Sequence, residues 1–169
     1  MNDLTANPMG TDGFEFVEYS APDPELLRGL FERMGFTVRA RHRRKNVTLH
    51  AQGGVNFIIN AEPDSFAQKF ARAHGPSVCA MAFRVTDAAA ALQRAISNGA
   101  KPVDMPVGPM ELNIPAIEGV GGSLIYLVDR YGDRSIYDVD FRYTAAAKGA
   151  AVAGLTAIDH LTHNVRRAT

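Results

Sequence analysis

Residues Gly13–Gly35 read GFEFVEYSAPDPELLRGLFERMG, and their order decides the fold. GFEFVEYS (Gly13–Ser20) is rich in aromatic and β-branched residues and ends at a Pro-containing turn, the signature of a strand. Asp23 follows as an N-cap with Pro24 at the first helical position. Leu27, Leu30, Phe31 and Met34 recur at spacings of three and four, one face of a helix, and Gly35 supplies its left-handed C-terminal cap. Three short strands then read at Thr37–His42, Val47–Ala51 and Val55–Asn60, giving the order βαβββ.

The same grammar returns 64 positions later: Asp23 maps onto Asp87 and Gly35 onto Gly99. Ser77–Arg84 (SVCAMAFR) reads as a strand, and AAAALQRAISN after Asp87 has strong helix propensity with Leu92 and Ile96 on one face. Further strands are expected at Lys101–Met105, Ile114–Glu118 and Ser123–Val128, and a helix over Ser65–Ala73 joins the halves. The chain is therefore read as α+β, two tandem βαβββ modules in a mixed curved sheet with outer helices.

Bulk properties narrow the class. A chain of 169 residues is long enough for a substantial core, and 46% hydrophobic with 21% charged residues is the balance of a globular protein. Eighteen basic and eighteen acidic side chains cancel, which argues against a nucleic-acid or membrane-surface binder. No stretch approaches the roughly 20 apolar residues of a membrane span. MNDLTANPMGTDG at the start lacks the cationic and apolar regions of a secretory signal. The lone Cys79 excludes an internal disulfide, so a cytoplasmic setting is expected.

The organisation reads as an arm over 1–12, a two-module domain over 13–143 (13–74 and 75–143), a linker over 144–155, and 156–169 as the opening strand of a truncated further domain. The linker is marked by the small, low-complexity run Tyr143–Gly154. The strand is marked by Ile158–Val165, IDHLTHNV, which lies on GFEFVEYS with His160 over Glu15 and His163 over Glu18.

Several long segments in one order carry a family resemblance. They are Ala6–Gly10 (ANPMG), GFEFVEYS, His74–Val85 (HGPSVCAMAFRV), Gly108–Ile117 (GPMELNIPAI), Ser135–Phe141 (SIYDVDF) and IDHLTHNV. The chain resembles the N-terminal half of the 4-hydroxyphenylpyruvate dioxygenases, members of the vicinal-oxygen-chelate superfamily. That resemblance implies oxidation of 4-hydroxyphenylpyruvate by O2 to homogentisate in tyrosine catabolism, with Fe(II) held by two His and one Glu. It implies His160 as the one metal ligand that maps onto this chain, with no catalytic residue of the substrate pocket present. The other two ligands belong to the family's C-terminal domain, so this chain alone is expected neither to bind Fe(II) nor to turn over. Its expected role is structural, within a homo-oligomer. The alternatives are a hydroxymandelate synthase-like dioxygenase and a non-catalytic module that binds a small molecule between its two units.

Other motifs have plainer readings. In a strand, residues three apart face opposite ways, so His160 and His163 would not share a face. Glu15 and Cys79, at the positions equivalent to His160, are two separated donors without a third. Cys79 lies in an apolar strand and reads as core. Arg41–Lys45 (RHRRK) reads as a solvated hairpin, and Gly119–Gly122 as a turn, since no Lys and helix follow it. Gly108–Ile117 reads as a fixed loop anchored by a Glu111 hydrogen bond to backbone.

Overall fold

A computed structural model describes residues 6–145 and 154–163. The first unit is β1 (Thr11–Ser20), α1 (Pro24–Arg33), β2 (Thr37–His42), β3 (Val47–Gln52) and β4 (Val55–Asn60). Helix α2 (Phe66–His74) leads into β5 (Ser77–Val85), α3 (Ala88–Ser97), β6 (Ala116–Glu118) and β7 (Leu124–Val128). Two further elements close the domain, α4 (Ile136–Asp140) and β8 (Phe141–Tyr143). The helices begin where the caps say they should. Asp23 accepts from Glu25 N (3.0 Å), Ser65 from Gln68 N (3.2 Å) and Asp87 from Ala90 N (2.9 Å).

The eight strands of the described residues form one mixed sheet, in the order β6-β7-β5-β1-β4-β3-β2-β8. β1 pairs parallel with β4, and β5 pairs parallel with β7. β1 and β5 meet antiparallel at the centre, with Val17 opposite Met81 and Glu18 opposite Ala80. Exchanging β1 for β5, β4 for β7 and β3 for β6 carries one half of the sheet onto the other, which is the structural expression of the 64-residue repeat.

The second half is the less complete. The expected strand Lys101–Met105 is reduced to a single bridge, Pro102 to Ile117. Pro102 and Pro106 have no N–H to donate, so a continuous ladder is not available there. Pro115 likewise holds β6 to three residues rather than the five expected from Ile114.

Side chains alternate across β1 and so separate two cores. On one face Tyr19 meets Phe31 of α1 (5.0 Å between centroids) and Phe57 (5.1 Å), within a cluster of Leu27, Phe31, Phe36, Val55 and Ile59. On the opposite face Phe16, Leu49, Ile58, Ala82 and Val128 form a second cluster. That inner face is roofed by Leu112 and Ile114 from the loop and by Ile136, Tyr137 and Phe141 from α4 and β8.

α4 and β8 fall on SIYDVDF and the two residues after it, where no periodic pattern marks an element. A helix of five residues is too short to show a period. Its start is held by Asp138, whose carboxylate accepts from Ser135 N (2.9 Å). β8 then pairs antiparallel with β2, Ala40 opposite Tyr143 and His42 opposite Phe141.

The run Arg41–Lys45 turns the β2–β3 hairpin with Arg41, Arg43 and Arg44 exposed, as expected, and it is anchored besides: Arg43 Nε donates to Val139 O (2.8 Å), Arg43 N to Asp140 O (2.9 Å), and Lys45 Nζ to Glu111 (2.7 Å). The strand expected from Thr156 is not formed as far as His163. Residues 154–163 carry no regular secondary structure, while Asn164 and Val165 lie outside the described residues. A strand is stabilised by a partner's ladder, and no strand pairs with this segment among the described residues. Most of the expected linker, 146–153, and the first five residues of the arm also lie outside them.

Candidate functional site

His160 is exposed, with 77% of its side chain accessible, and its Nδ1 lies 2.8 Å from Asp159 Oδ2. An Nδ1–H donated to that carboxylate leaves the lone pair on Nε2, the arrangement common behind metal-bound imidazoles. His163 is exposed too. With no strand over these residues, the alternation expected to separate the two histidines has nothing to act on. Among the described residues no group of three or more His, Cys, Asp or Glu side chains converges on one point. His160 and Asp159 thus stand apart from any such group among the described residues.

The positions equivalent to His160 are committed elsewhere. Glu15 is 2% exposed and accepts from Arg84 Nε at 2.6 Å. Cys79 is fully buried, its Sγ 3.6 Å from Glu18 O, and burial pushes its thiol pKa well up. A protonated, inaccessible thiol is neither nucleophile nor ligand, so Cys79 is core, as its strand setting implied.

The inner face holds a second buried carboxylate, Glu18, which accepts from Asn60 Nδ2 (2.8 Å). Burial raises its pKa, against the lowering effect of Asn60 and Lys45. Nearby Tyr126 is also raised by burial. These groups face packed side chains rather than a cleft, because Leu112, Ile114 and Tyr126 seat against the inner cluster.

Loop Gly108–Ile117 is held as a lid on that face. Glu111 accepts from Gly108 N (2.8 Å) and from Lys45 Nζ (2.7 Å), the backbone anchor expected for it. Burial acts to raise Glu111, but these hydrogen bonds outweigh it and leave the carboxyl below its usual range. Asp140 is raised by burial while receiving Leu112 N at 3.4 Å. A surface pocket of ≈ 270 Å³ lies here, lined by His42, Arg43, Glu111 and Asp140 among others. It falls just below the roughly 300–1,000 Å³ of small-molecule sites, and Glu111 within it is already engaged by His42 (3.9 Å) and by Lys45.

His50 on β3 reports on burial at the helix face. It is fully buried, with Nε2 3.2 Å from Thr48 Oγ1 and its ring edge-on to Phe31 at 5.6 Å. Burial lowers its pKa to about 4. Below the ordinary pKa of 6.5 the unfolded chain takes up a proton that the folded chain refuses. Stability is therefore whole above pH 6.5 and falls as the pH drops toward 4, by on the order of 3 kcal/mol in full. Glu18, raised by burial, tilts stability the other way above its unfolded pKa, so the readout is a difference. Urea titrations from pH 4 to 7 are expected to show a shallower fall in His50→Asn than in the parent chain. Parallel curves would show that His50 takes up its proton in the folded state.

A βαβββ unit and a second, shorter copy of it share one mixed sheet with a central antiparallel seam, and that arrangement defines a protein of the vicinal-oxygen-chelate fold. Residues 5–142 match the family model described as hydroxyphenylpyruvate dioxygenase, HPPD, N-terminal, and the chain belongs to that family. It is 59% identical over 95% of its length to "Hemolysin VllY" of Vibrio vulnificus, covering 47% of that protein. It is 57% identical over 95% of its length to a 4-hydroxyphenylpyruvate dioxygenase of Pseudomonas aeruginosa, covering 46% of it. Among solved structures, a xylose isomerase-like TIM barrel/4-hydroxyphenylpyruvate dioxygenase fusion protein superposes with TM-score 0.78 at 42% identity, over 89% of this chain and 24% of that one. A mutant of 4-hydroxymandelate synthase from Streptomyces coelicolor (TM-score 0.67, 19% identity, 85% of this chain and 45% of that one) shares the fold. The chain spans about half the length of the first curated relatives. No helix among the described residues is long and apolar enough to cross a membrane.

Proposed function

We propose that this chain is the N-terminal part of an iron(II)-dependent 4-hydroxyphenylpyruvate dioxygenase, acting on 4-hydroxyphenylpyruvate and O2 to give homogentisate and CO2 in cytoplasmic tyrosine catabolism. Its own part is structural, as scaffold and oligomer surface for the catalytic half. The observation that carries the structural role is the filled inner face: Leu112, Ile114, Ile136, Tyr137 and Phe141 occupy the side of the sheet not used by α1–α3. The iron ligand this chain contributes is His160, with Asp159 orienting its ring. Bound iron(II) supplies the redox chemistry, with coordination positions left open for substrate and oxygen. One donor cannot assemble that centre, so no reaction step is assigned to these residues.

The test compares two proteins. The 169-residue chain, supplied with iron(II), 4-hydroxyphenylpyruvate and oxygen, is expected to form no homogentisate. A chimera joining residues 1–163 to the C-terminal half of the Pseudomonas aeruginosa relative is expected to form it. Turnover by the isolated chain overturns the structural role. A folded chimera that releases hydroxymandelate, or no product, overturns the assigned activity.

A further inference from the structure

We infer that the β3–β4 turn, Gln52-Gly53-Gly54, is a dock that fixes the segment carrying His160 onto the sheet. Residues 154–163 have no regular secondary structure, yet their first half is tied down at several points. Gly54 N donates to Thr156 O at 2.9 Å. Leu155 N donates to Gln52 Oε1 at 3.2 Å. Gln52 is only 2% exposed, and its Nε2 donates to Met34 O at 3.3 Å just past α1, so the acceptor for Leu155 is itself held in place. Two residues on, Ile158 packs against the cluster of Phe31, Phe36 and Val55.

The glycine pair shows what the turn is built for. A two-residue hairpin of type I′ needs left-handed backbone at both positions and takes glycine for that reason. Gly53 meets the rule with φ of 55°, but Gly54 is not among the residues with positive φ. Turn geometry therefore does not require glycine at 54. Close approach does: a Cβ on Gly54 would overlap the Thr156 carbonyl oxygen, and one on Gly53 the Leu155 carbonyl oxygen. Backbone packs on backbone here, and any side chain would lift the segment away.

The consequence is positional. His160 stands two residues beyond Ile158, so its Cα lies within about 7 Å of an anchored point. Gln52, Gly53, Gly54 and Ile158 are thus positioning residues for the imidazole. The dock itself rests on the contacts above, while its bearing on catalysis rests on the reading of His160 as an iron ligand.

Amide exchange followed by NMR tests the dock in the 169-residue chain. The Gly54 and Leu155 amides are expected to exchange at least about tenfold more slowly than in an unstructured peptide. In Gly54→Ala the Leu155 amide is expected to approach the unstructured rate, while the β1 amides keep theirs. Should that variant fail to fold, Ile158→Ser, placed on the docked segment, tests the same seat, and Ile158→Val is expected to restore protection. Unprotected Leu155 in the parent chain, or protection untouched by the substitutions that fold, overturns the dock.

In the chimera, Gly54→Ala and Ile158→Ser are expected to weaken iron(II) affinity by roughly tenfold or more and to lower kcat, with KM for the keto acid little changed. Lost protection with unchanged iron affinity overturns the positioning role. An unsubstituted chimera without activity counts against the dioxygenase reading and leaves the exchange result standing.

Discussion

Phe36→Ala is expected to lower the unfolding free energy of this chain by about 3–5 kcal/mol. Phe36 is fully buried. Its ring stacks on Phe57 with centroids 4.5 Å apart and planes 18° from parallel, and it lies 6.2 Å from Phe31. Phe31 is fixed on α1 and Phe57 on β4, so neither can move far to fill the void. Truncation therefore costs the transfer energy of a phenyl ring and most of a cavity besides. Backbone reinforces the site, since Phe36 N donates to Phe31 O at 2.8 Å as the chain leaves α1. Leu26, on the same helix but 65% exposed, is the control, and Leu26→Ala is expected to stay within about 0.5 kcal/mol. Urea titration with an unchanged m value measures both. A loss below about 1 kcal/mol at Phe36 would mean that α1 does not press on the sheet as described.

Arg84→Met is the second substitution with a large expected cost, again about 3–5 kcal/mol. Its partner Glu15 is 2% exposed, and the 2.6 Å contact to Arg84 Nε provides the neutralising charge. Removing the guanidinium strands a carboxylate among packed side chains. Tyr137 is nearby and buried, and burial together with the Glu15 charge raises its pKa well above the ordinary value, so it brings no positive charge to replace the guanidinium. The double variant Arg84→Met/Glu15→Gln is expected to recover most of the loss, because the pair is then removed together rather than broken. The ion pair bridges β1 of one repeat and β5 of the other. If the single variant cost no more than the double, the pair would be solvated and would contribute nothing to the seam.

The repeat was legible because its signals are local. Asp23 and Asp87 cap helices from within the first turn, and aromatic and β-branched runs stiffen into strands wherever they stand. The weak places were legible only in part. Pro102 sits inside what reads as a strand, and the structure resolves the conflict in favour of the proline, leaving one bridge. Glu111 could be marked as an anchor but not paired, since Lys45 lies 66 residues earlier. His160 could be named from a resemblance. Its Asp159 contact is between neighbours in the chain, whereas the dock beneath the segment is not.

By itself, then, the order of residues determined the first βαβββ unit and its shorter echo, their helices and caps, and put Leu27 and Phe31 on the sheet side of α1, whereas Leu30, Met34 and Ile96, expected on the same faces, are exposed. Each of these depends on spacings of a few positions and on side-chain preference. The tertiary structure alone decided that β8 would flank β2, that α4 and the loop would fill the inner face, and that Gln52 would hold Leu155. Those contacts join residues about a hundred positions apart, as in Thr144 Oγ1 to Val38 O across 106 residues and Leu155 N to Gln52 across 103. Nothing in a local pattern specifies such a partner, because hydrogen-bond donors and apolar surface are chemically generic until the folded chain brings one particular pair within reach.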